Sequence, residues 1–330
     1  MNRRSASPTA ATHCRCRPRV GKETTLFRRI LVPLDGSPQG EHALPLAAVI
    51  AEKSGATLHL VLVHEPDAYT EYGAASFEDF DEESKAKEVA YLNAVLERLT
   101  SATSITAEVH HLEGVIEETL AAEVTSREID LVVMNAHGWG FTSRALLGSV
   151  SDYLMRNLEV PLLLMHAHDQ SGEEGPSRPT SIKRVLVPLD GSELAASILG
   201  PAEQLGEVWD AEYRLVRVVP APSSLFGMLG SDKGASDAAL LEQPRQNAEQ
   251  YLEKASAALR ERNHTVSTQV LVHRQAAAGI LQEAAESGCD AIAISTSGRG
   301  GLSRLLVGSV ADKVVRGAER PVLVYRPGPG

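Results

Sequence analysis

Two stretches of this chain occur twice. Ile30-Leu31-Val32-Pro33-Leu34-Asp35-Gly36-Ser37 returns as Val185-Leu186-Val187-Pro188-Leu189-Asp190-Gly191-Ser192, identical at seven of eight positions. A second segment, from Gly138 through Arg144 to Gly148-Ser149-Val150, returns from Gly298 through Arg304 to Gly308-Ser309-Val310. The offset is 155 residues for the first pair and 160 for the second, so the chain consists of two homologous units with a small length difference inside them. That period is too long for a solenoid repeat, and 330 residues divide naturally into two domains, each with its own core. Any functional site must therefore be expected twice.

Within each unit short apolar runs alternate with helical stretches. Arg29 to Leu34 is an apolar run closed by Asp-Gly-Ser, which is how a buried parallel strand followed by a turn reads. Ser37 reads as an N-cap, with Pro38 at the first helical position of a helix through about Lys53. Further strands are expected at Leu58 to Val63, Ile105 to His110, Ile129 to Asn135 and Val160 to His166, with helices at Glu82 to Thr100, Val115 to Arg127 and Gly148 to Asn157. Unit two repeats the order. Its strands are Arg184 to Leu189, Tyr213 to Val219, Thr265 to Val270, Ala291 to Ser295 and Pro321 to Tyr325. Its helices are Ser192 to Val208, Gln243 to Asn263, Ala277 to Ser287 and Ser309 to Gly317. Such alternation predicts an α/β fold in each unit, an open five-stranded parallel sheet with helices on both faces. The domains are read as 29–167 and 183–327, joined by a Gly-, Pro- and Ser-rich linker over 168–182.

Charge and cysteine usage narrow the setting. A net charge of −11 argues against a nucleic-acid partner, because phosphate contacts need clustered Lys and Arg. The start of the chain departs from that balance: the first 29 residues hold eight Lys or Arg against Glu23 alone. An Arg-rich, acid-poor start resembles an organellar transit peptide, and residues 1–28 are read here as a basic disordered extension. No apolar run approaches the roughly 18 residues that span a bilayer, so no membrane association is expected. Cys14, Cys16 and Cys289 build no disulfide framework across the units, and a cytoplasmic protein is the expectation.

In a doubly wound sheet the binding crevice lies beyond the carboxyl ends of the strands, where the strand order reverses. The repeated motifs fall there. Asp35 and Asp190 follow the first strand of each unit, while Asn135 to Ser149 and Ser295 to Ser309 follow the fourth and run into the next helix. A Gly-rich turn lets backbone N–H groups approach phosphate oxygens, and a helix opening at Gly148-Ser149 or Gly308-Ser309 adds unpaired N–H groups and a positive dipole end. The same Gly-Ser is also an ordinary helix cap; its pairing with the Asp turn in both units favours anion binding. No G-x-x-x-x-G-K-[ST] occurs, and Ser143 and Ser303 break G-x-G-x-x-G, so neither a P-loop nor a dinucleotide fingerprint is present.

The strand ending Val-Pro-Leu-Asp-Gly-Ser, the segment His137-Gly138 through Arg144 to Gly148-Ser149-Val150, and the closing run from Val160-Pro161 together resemble the universal stress protein family. Its ATP-binding members carry G-x-x-G, nine residues, then G-[ST]. Gly138 and Gly298 match the second glycine, and Gly148-Ser149 and Gly308-Ser309 complete the pattern. The resemblance implies a tandem protein of two Rossmann-like, adenine nucleotide alpha hydrolase-like domains. It implies ATP as ligand, with Mg2+ held through the phosphates. Adenine is expected near Pro33, Asp35 and Val63 in unit one, and near Pro188, Asp190 and Val218 in unit two. The triphosphate is expected on Gly138, Gly148, Ser149 and Val150, and on Gly298, Gly308, Ser309 and Val310. The chain departs from the family pattern at the first glycine, which is Asn135 in one unit and Ser295 in the other. These small side chains are expected to weaken rather than abolish binding.

Arg144 and Arg304 occupy matching positions and are secondary candidates for the phosphates, the plainer reading being a solvated charge at a helix edge. His137 stands beside Gly138 but has Ser297 as its counterpart, so no shared base follows; His166 and His168 lack a third metal ligand. No nucleophile, triad or carboxylate pair recurs in both units. A nucleotide-dependent stress-response or signalling module is the leading expectation, at most weakly hydrolytic. A slow ATPase, or an interaction scaffold with vestigial pockets, is the alternative. The apolar last strands begin at Pro161 and Pro321, which suits sheet edges. In the family these edges pair antiparallel, which implies pairing of the two units and, beyond it, a homodimer of chains. The acidic stretch from Glu65 to Glu83 and the insertion from Pro220 to Gln243 are read as mobile loops near the pockets.

Overall fold

The computed structural model describes residues 26–66, 75–136, 147–165, 181–221, 233–296 and 307–328. Most of the basic extension and most of the linker lie outside them. Unit one runs β1 (Arg29–Pro33), a 3-10 turn (Gly40–Ala43), α1 (Leu44–Ser54), β2 (Thr57–His64), α2 (Ala75–Ala102), β3 (Thr106–Glu113), α3 (Ile116–Ser126), β4 (Leu131–Asn135), α4 (Ser149–Asn157) and β5 (Leu162–Met165). Unit two follows with β6 (Arg184–Pro188), α5 (Glu193–Ala196), α6 (Leu199–Glu207), β7 (Glu212–Pro220), α7 (Lys233–Glu261), β8 (Val266–His273), α8 (Ala276–Glu286), β9 (Ala291–Ser295), α9 (Ser309–Gly317) and β10 (Val322–Tyr325).

Each unit supplies five parallel strands, ordered β3-β2-β1-β4-β5 in the first and β8-β7-β6-β9-β10 in the second. The two sets join where β5 meets β10 antiparallel, with Leu162 opposite Val324, Leu163 opposite Leu323 and Leu164 opposite Val322. The result is one mixed sheet of ten strands. Its central strands are buried on both faces, which is why β1 reads as an unbroken apolar run. Ile30, Val32, Leu58 and Leu60 pack under α1 and α2, in a layer that continues through Leu163 and Leu323 to Val187 and Leu215 under α6 and α7. The opposite layer gathers Leu31, Val132, Leu186 and Ile292 under α3, α4, α8 and α9. Among the described residues no helix is long and apolar enough to cross a membrane.

Several helices differ from the sequence expectation for local reasons. Ser37 and Pro38 precede the helix rather than open it. The α-helix starts only at Leu44, because Pro45 has no N–H to bond the carbonyl one turn back. In unit two Ser192 does cap a helix, its Oγ accepting from the Ala195 N–H, but the helix breaks between α5 and α6, four residues before Pro201 at Ser197. Two stretches expected as loops are partly helical. Helix α2 begins at Ala75, and α7 begins at Lys233 and runs through Pro244.

Helix α2 seats on β2 and β3 through charge as well as apolar contact. His64 is 6% exposed, and its Nε2 lies 2.8 Å from Asp81 Oδ1 while its Nδ1 lies 3.0 Å from Glu88 Oε2. His111 Nε2 reaches the same Glu88 oxygen at 2.7 Å, and Lys85 bonds Asp81 at 2.9 Å and Glu113 at 3.2 Å. Burial works against the charged imidazolium, yet hydrogen bonds and charge from Asp81 and Glu88 outweigh it and hold His64 above the ordinary histidine value. Unit two fills the corresponding positions differently. By strand register and the shared Tyr-Leu pair on the helices (Tyr91-Leu92, Tyr251-Leu252), the counterparts of His64, Glu88 and His111 are Val219, Ala248 and Val270, all buried.

Two outcomes follow from this packing. Leu323→Ala empties a fully buried position at the β5–β10 seam and lowers unfolding free energy by about 2–5 kcal/mol in urea titration. Because the folded state favours protonated His64, its contribution is complete below the unfolded value of 6.5 and is lost as pH rises through the higher folded value. The stability difference between the wild-type chain and His64→Gln therefore shrinks as urea titrations are moved upward across that interval.

Candidate functional site

The strand order reverses between β1 and β4 in unit one, and between β6 and β9 in unit two. At such a reversal the connections from neighbouring strands go to opposite faces, which is where a crevice forms at the carboxyl ends of a parallel sheet. The Asp-Gly-Ser turn forms one lip. Asp35 Oδ1 accepts from the Ser37 N–H at 3.0 Å and the Ser37 hydroxyl at 2.6 Å, and Ser37 Oγ accepts from the Gly40 N–H at 3.0 Å. Gly36 has φ +76°, and a Cβ on Gly40 would stand 2.4 Å from Asp35 Oδ1, so this turn needs both glycines. Unit two repeats the turn with Asp190 Oδ1, which accepts from the Ser192 N–H at 2.8 Å and hydroxyl at 2.6 Å. Asp35 is exposed and Asp190 half-buried.

Val63 and Val218, both half-buried, lie two residues past the last paired positions of the neighbouring strands, Pro33 opposite Val61 and Pro188 opposite Val216. Strands β2 and β7 therefore outrun β1 and β6, and the valine backbone borders the crevice. The facing lip is the start of α4 or α9. The Gly148 N–H donates to the Ala136 carbonyl at 3.0 Å and the Gly308 N–H to Thr296 at 2.6 Å, which closes the glycine-rich loop at its base. A Cβ on Gly308 would meet the Thr296 oxygen at 3.0 Å. Gly148 and Gly308 are the N-cap residues, without a side-chain cap bond, and Ser149 and Ser309 are exposed at the first helical position. Both helices thus open with N–H groups that no capping side chain occupies. Val150 and Val310 follow, half-buried.

Asn135 and Ser295 end β4 and β9, 6% and 7% exposed. Asn135 Nδ2 donates to the Gln39 carbonyl at 3.1 Å, tying the end of β4 to the loop after β1. Its Oδ1 is buried without a protein partner. Gly138, Arg144, Gly298 and Arg304, with His137, Ser297, His166 and His168, lie outside the described residues. The structure thus places Pro33, Asp35, Val63, Asn135, Gly148, Ser149 and Val150 at or just beyond the carboxyl ends of the unit-one strands, and Pro188, Asp190, Val218, Ser295, Gly308, Ser309 and Val310 likewise in unit two. Cys289 is buried, and burial pushes its thiol above the usual range, the opposite of an activated nucleophile.

A second group lies apart from the repeated motifs. His59 on β2 and Glu108 and His110 on β3 converge on the α3 face of unit one, with His59 Nδ1 3.1 Å from His110 Nε2. Burial lowers both imidazoles below the ordinary histidine value, and Arg127 adds to this. The available signal was a histidine inside an otherwise apolar strand, Thr57–His64, together with the His110-His111 pair in the next strand.

Comparison with known proteins agrees with this architecture. The universal stress protein family model matches residues 26–166 and again 181–326. Universal stress protein Rv2623 of Mycobacterium tuberculosis is 32% identical over 204 residues, an alignment covering 61% of this chain and 63% of that protein. The chain likewise spans 63% of the length of the related Rv2005c, at 31% identity. A universal stress protein of Mycolicibacterium smegmatis is 27% identical over 307 residues, 90% of this chain and 97% of its own. Among solved structures, a universal stress protein from Archaeoglobus fulgidus shares the fold with a TM-score of 0.64 at 20% identity, covering 91% of this chain and 98% of that one. With both halves matched and the same turn-and-glycine geometry in each, the chain belongs to the universal stress protein family.

Proposed function

We propose that this protein is a nucleotide-dependent stress-response module that binds ATP, with Mg2+ held through the phosphates. The observation that carries the reading is the start of α4 and α9. In each, a glycine N-cap is pinned to the end of the fourth strand of its unit and leaves the first helical N–H groups without a capping side chain, opposite the Asp turn. Phosphate oxygens would take those N–H groups and the Ser149 or Ser309 hydroxyl. Adenine and ribose would lie along Val63 and Asp35, or Val218 and Asp190. The glycines fit this role, since a side chain on Gly308 would press on Thr296.

Asn135 spans the mouth of the first pocket to reach Gln39, so nucleotide entering there must break or bypass that bond. The module works by binding: backbone donors hold a triphosphate without supplying a base, and hydrolysis beyond a slow background is not part of the reading. A reducing cytoplasmic setting accords with the buried free thiol of Cys289, and pairing of two chains is the further level of assembly we assign.

Equilibrium dialysis of the full chain with ATP and Mg2+ tests this, and at least one nucleotide per chain is expected. Ser309→Ala weakens the unit-two site about tenfold, the worth of one charge-assisted hydrogen bond. Asn135→Gly removes the bond to Gln39 and strengthens the unit-one site. Zero bound nucleotide at saturating ATP would leave only the scaffold reading, and ADP release abolished by Ser149→Ala or Ser309→Ala would establish the slow ATPase instead.

A further inference from the structure

Three clusters of histidine and carboxylate lie among the described residues, and they are not alike. In His64–Glu88–His111 and Glu203–Glu207–His264 a carboxylate already bonds imidazole nitrogen at 2.7–3.0 Å. These are satisfied ion pairs. The His59–Glu108–His110 group is arranged differently. Glu108 Oε2 stands 3.6 Å from His59 Nδ1 and 3.6 Å from His110 Nε2, beyond hydrogen-bond reach of either, while the two nitrogens share one hydrogen bond at 3.1 Å that a bound ion would replace.

Those separations match a coordination triangle. Ligand atoms placed about 2.0–2.1 Å from a tetrahedral zinc ion lie roughly 3.4 Å from one another, and a single point lies roughly 2.0 Å from all three atoms here. The two rings face each other nitrogen to nitrogen, with centroids 5.4 Å apart and planes 25° from parallel. His59 and His110 side chains are 7% and 12% exposed, which fixes their place, and Glu108 at 52% closes the triangle from the solvent side. His59 and Glu108 also line a cleft of about 560 Å³, shared with Arg28, Arg29, Thr57, Ser126, Arg127 and Glu128. A fourth position on the ion would open there. Of the three arginines that line the cleft, Arg127 is offset by Glu123 and Arg29 by Glu128.

Unit two supplies an internal comparison on the same scaffold. By strand register the counterparts of His59, Glu108 and His110 are Arg214, Ser267 and Gln269, and Arg214 forms an ion pair with Glu283 at 2.5 Å. The fold therefore does not require the cluster.

We propose that His59, Glu108 and His110 form a binding site for a divalent transition-metal ion of the Zn2+ class, three-coordinate from protein with solvent in the fourth position. Two neutral imidazoles and one carboxylate are the ligand set that such borderline ions select over Mg2+ or Ca2+. The site lies near the amino ends of the unit-one strands, away from the nucleotide crevice, and is independent of the reading proposed above.

Metal-stripped full-length protein titrated with Zn2+ against a chromophoric chelator tests the proposal, with Co2+ as a spectroscopic probe. The expected result is one tightly held Zn2+ per chain and the intense visible bands of four-coordinate Co2+. The variant Glu108→Ser/His110→Gln, which installs the residues unit two carries, should keep its far-ultraviolet circular dichroism. It should lose Zn2+ affinity by more than the roughly 100-fold that loss of an outer-shell partner costs. His64→Gln should leave the ion in place. Absence of Zn2+ uptake by the wild-type chain, or uptake unchanged in the double variant, would overturn the assignment.

Discussion

The antiparallel contact of β5 with β10 is the constraint from which the rest of the molecule follows. It is short, three facing residue pairs, but it lies between strands that are apolar on both faces. An unpaired edge of that composition would expose backbone N–H and C=O groups beside buried leucine, which is unfavourable in water and prone to association. Joining the edges satisfies those groups and makes both core layers continuous across the two units. It also sets the geometry of function. Strands within a unit are parallel and the seam is antiparallel, so the carboxyl ends of the two strand sets, and with them the two crevices, open on opposite edges of the sheet. Each site must therefore work with its own residues.

That separation left the two units free to diverge. The same helix–sheet interface that holds His64, Glu88 and His111 in unit one is filled by Val219, Ala248 and Val270 in unit two. On the other face a His59–His110 pair stands where unit two has Arg214 with Glu283. Buried ionisable groups cost desolvation that apolar side chains do not, so their confinement to one unit marks them as features the fold itself does not need. The crevices diverged less. Both keep the Asp turn and the glycine-capped helix, and the difference is concentrated in Asn135 against Ser295.

Much of this was legible in the chain, element by element. Ala291–Ser295 and Ser309–Gly317 match expectation residue for residue, because apolar runs bounded by turn residues and a Gly-Ser before a helix are local signals. The starts of α1, α2 and α7 were not legible. At α1 the missing N–H of Pro45 outweighed the cap signal of Ser37, and α7 runs through Pro244, a residue whose local preference argues for a helix end.

By itself the sequence determined the duplication and the alternation of strands and helices, because both depend on neighbours close along the chain. What only the tertiary structure decided is which distant residues meet. Parallel pairing sets His59 beside His110, 51 residues apart, and Asn135 against Gln39, 96 residues apart. Such encounters depend on strand register and crossover length, and no local periodicity encodes either.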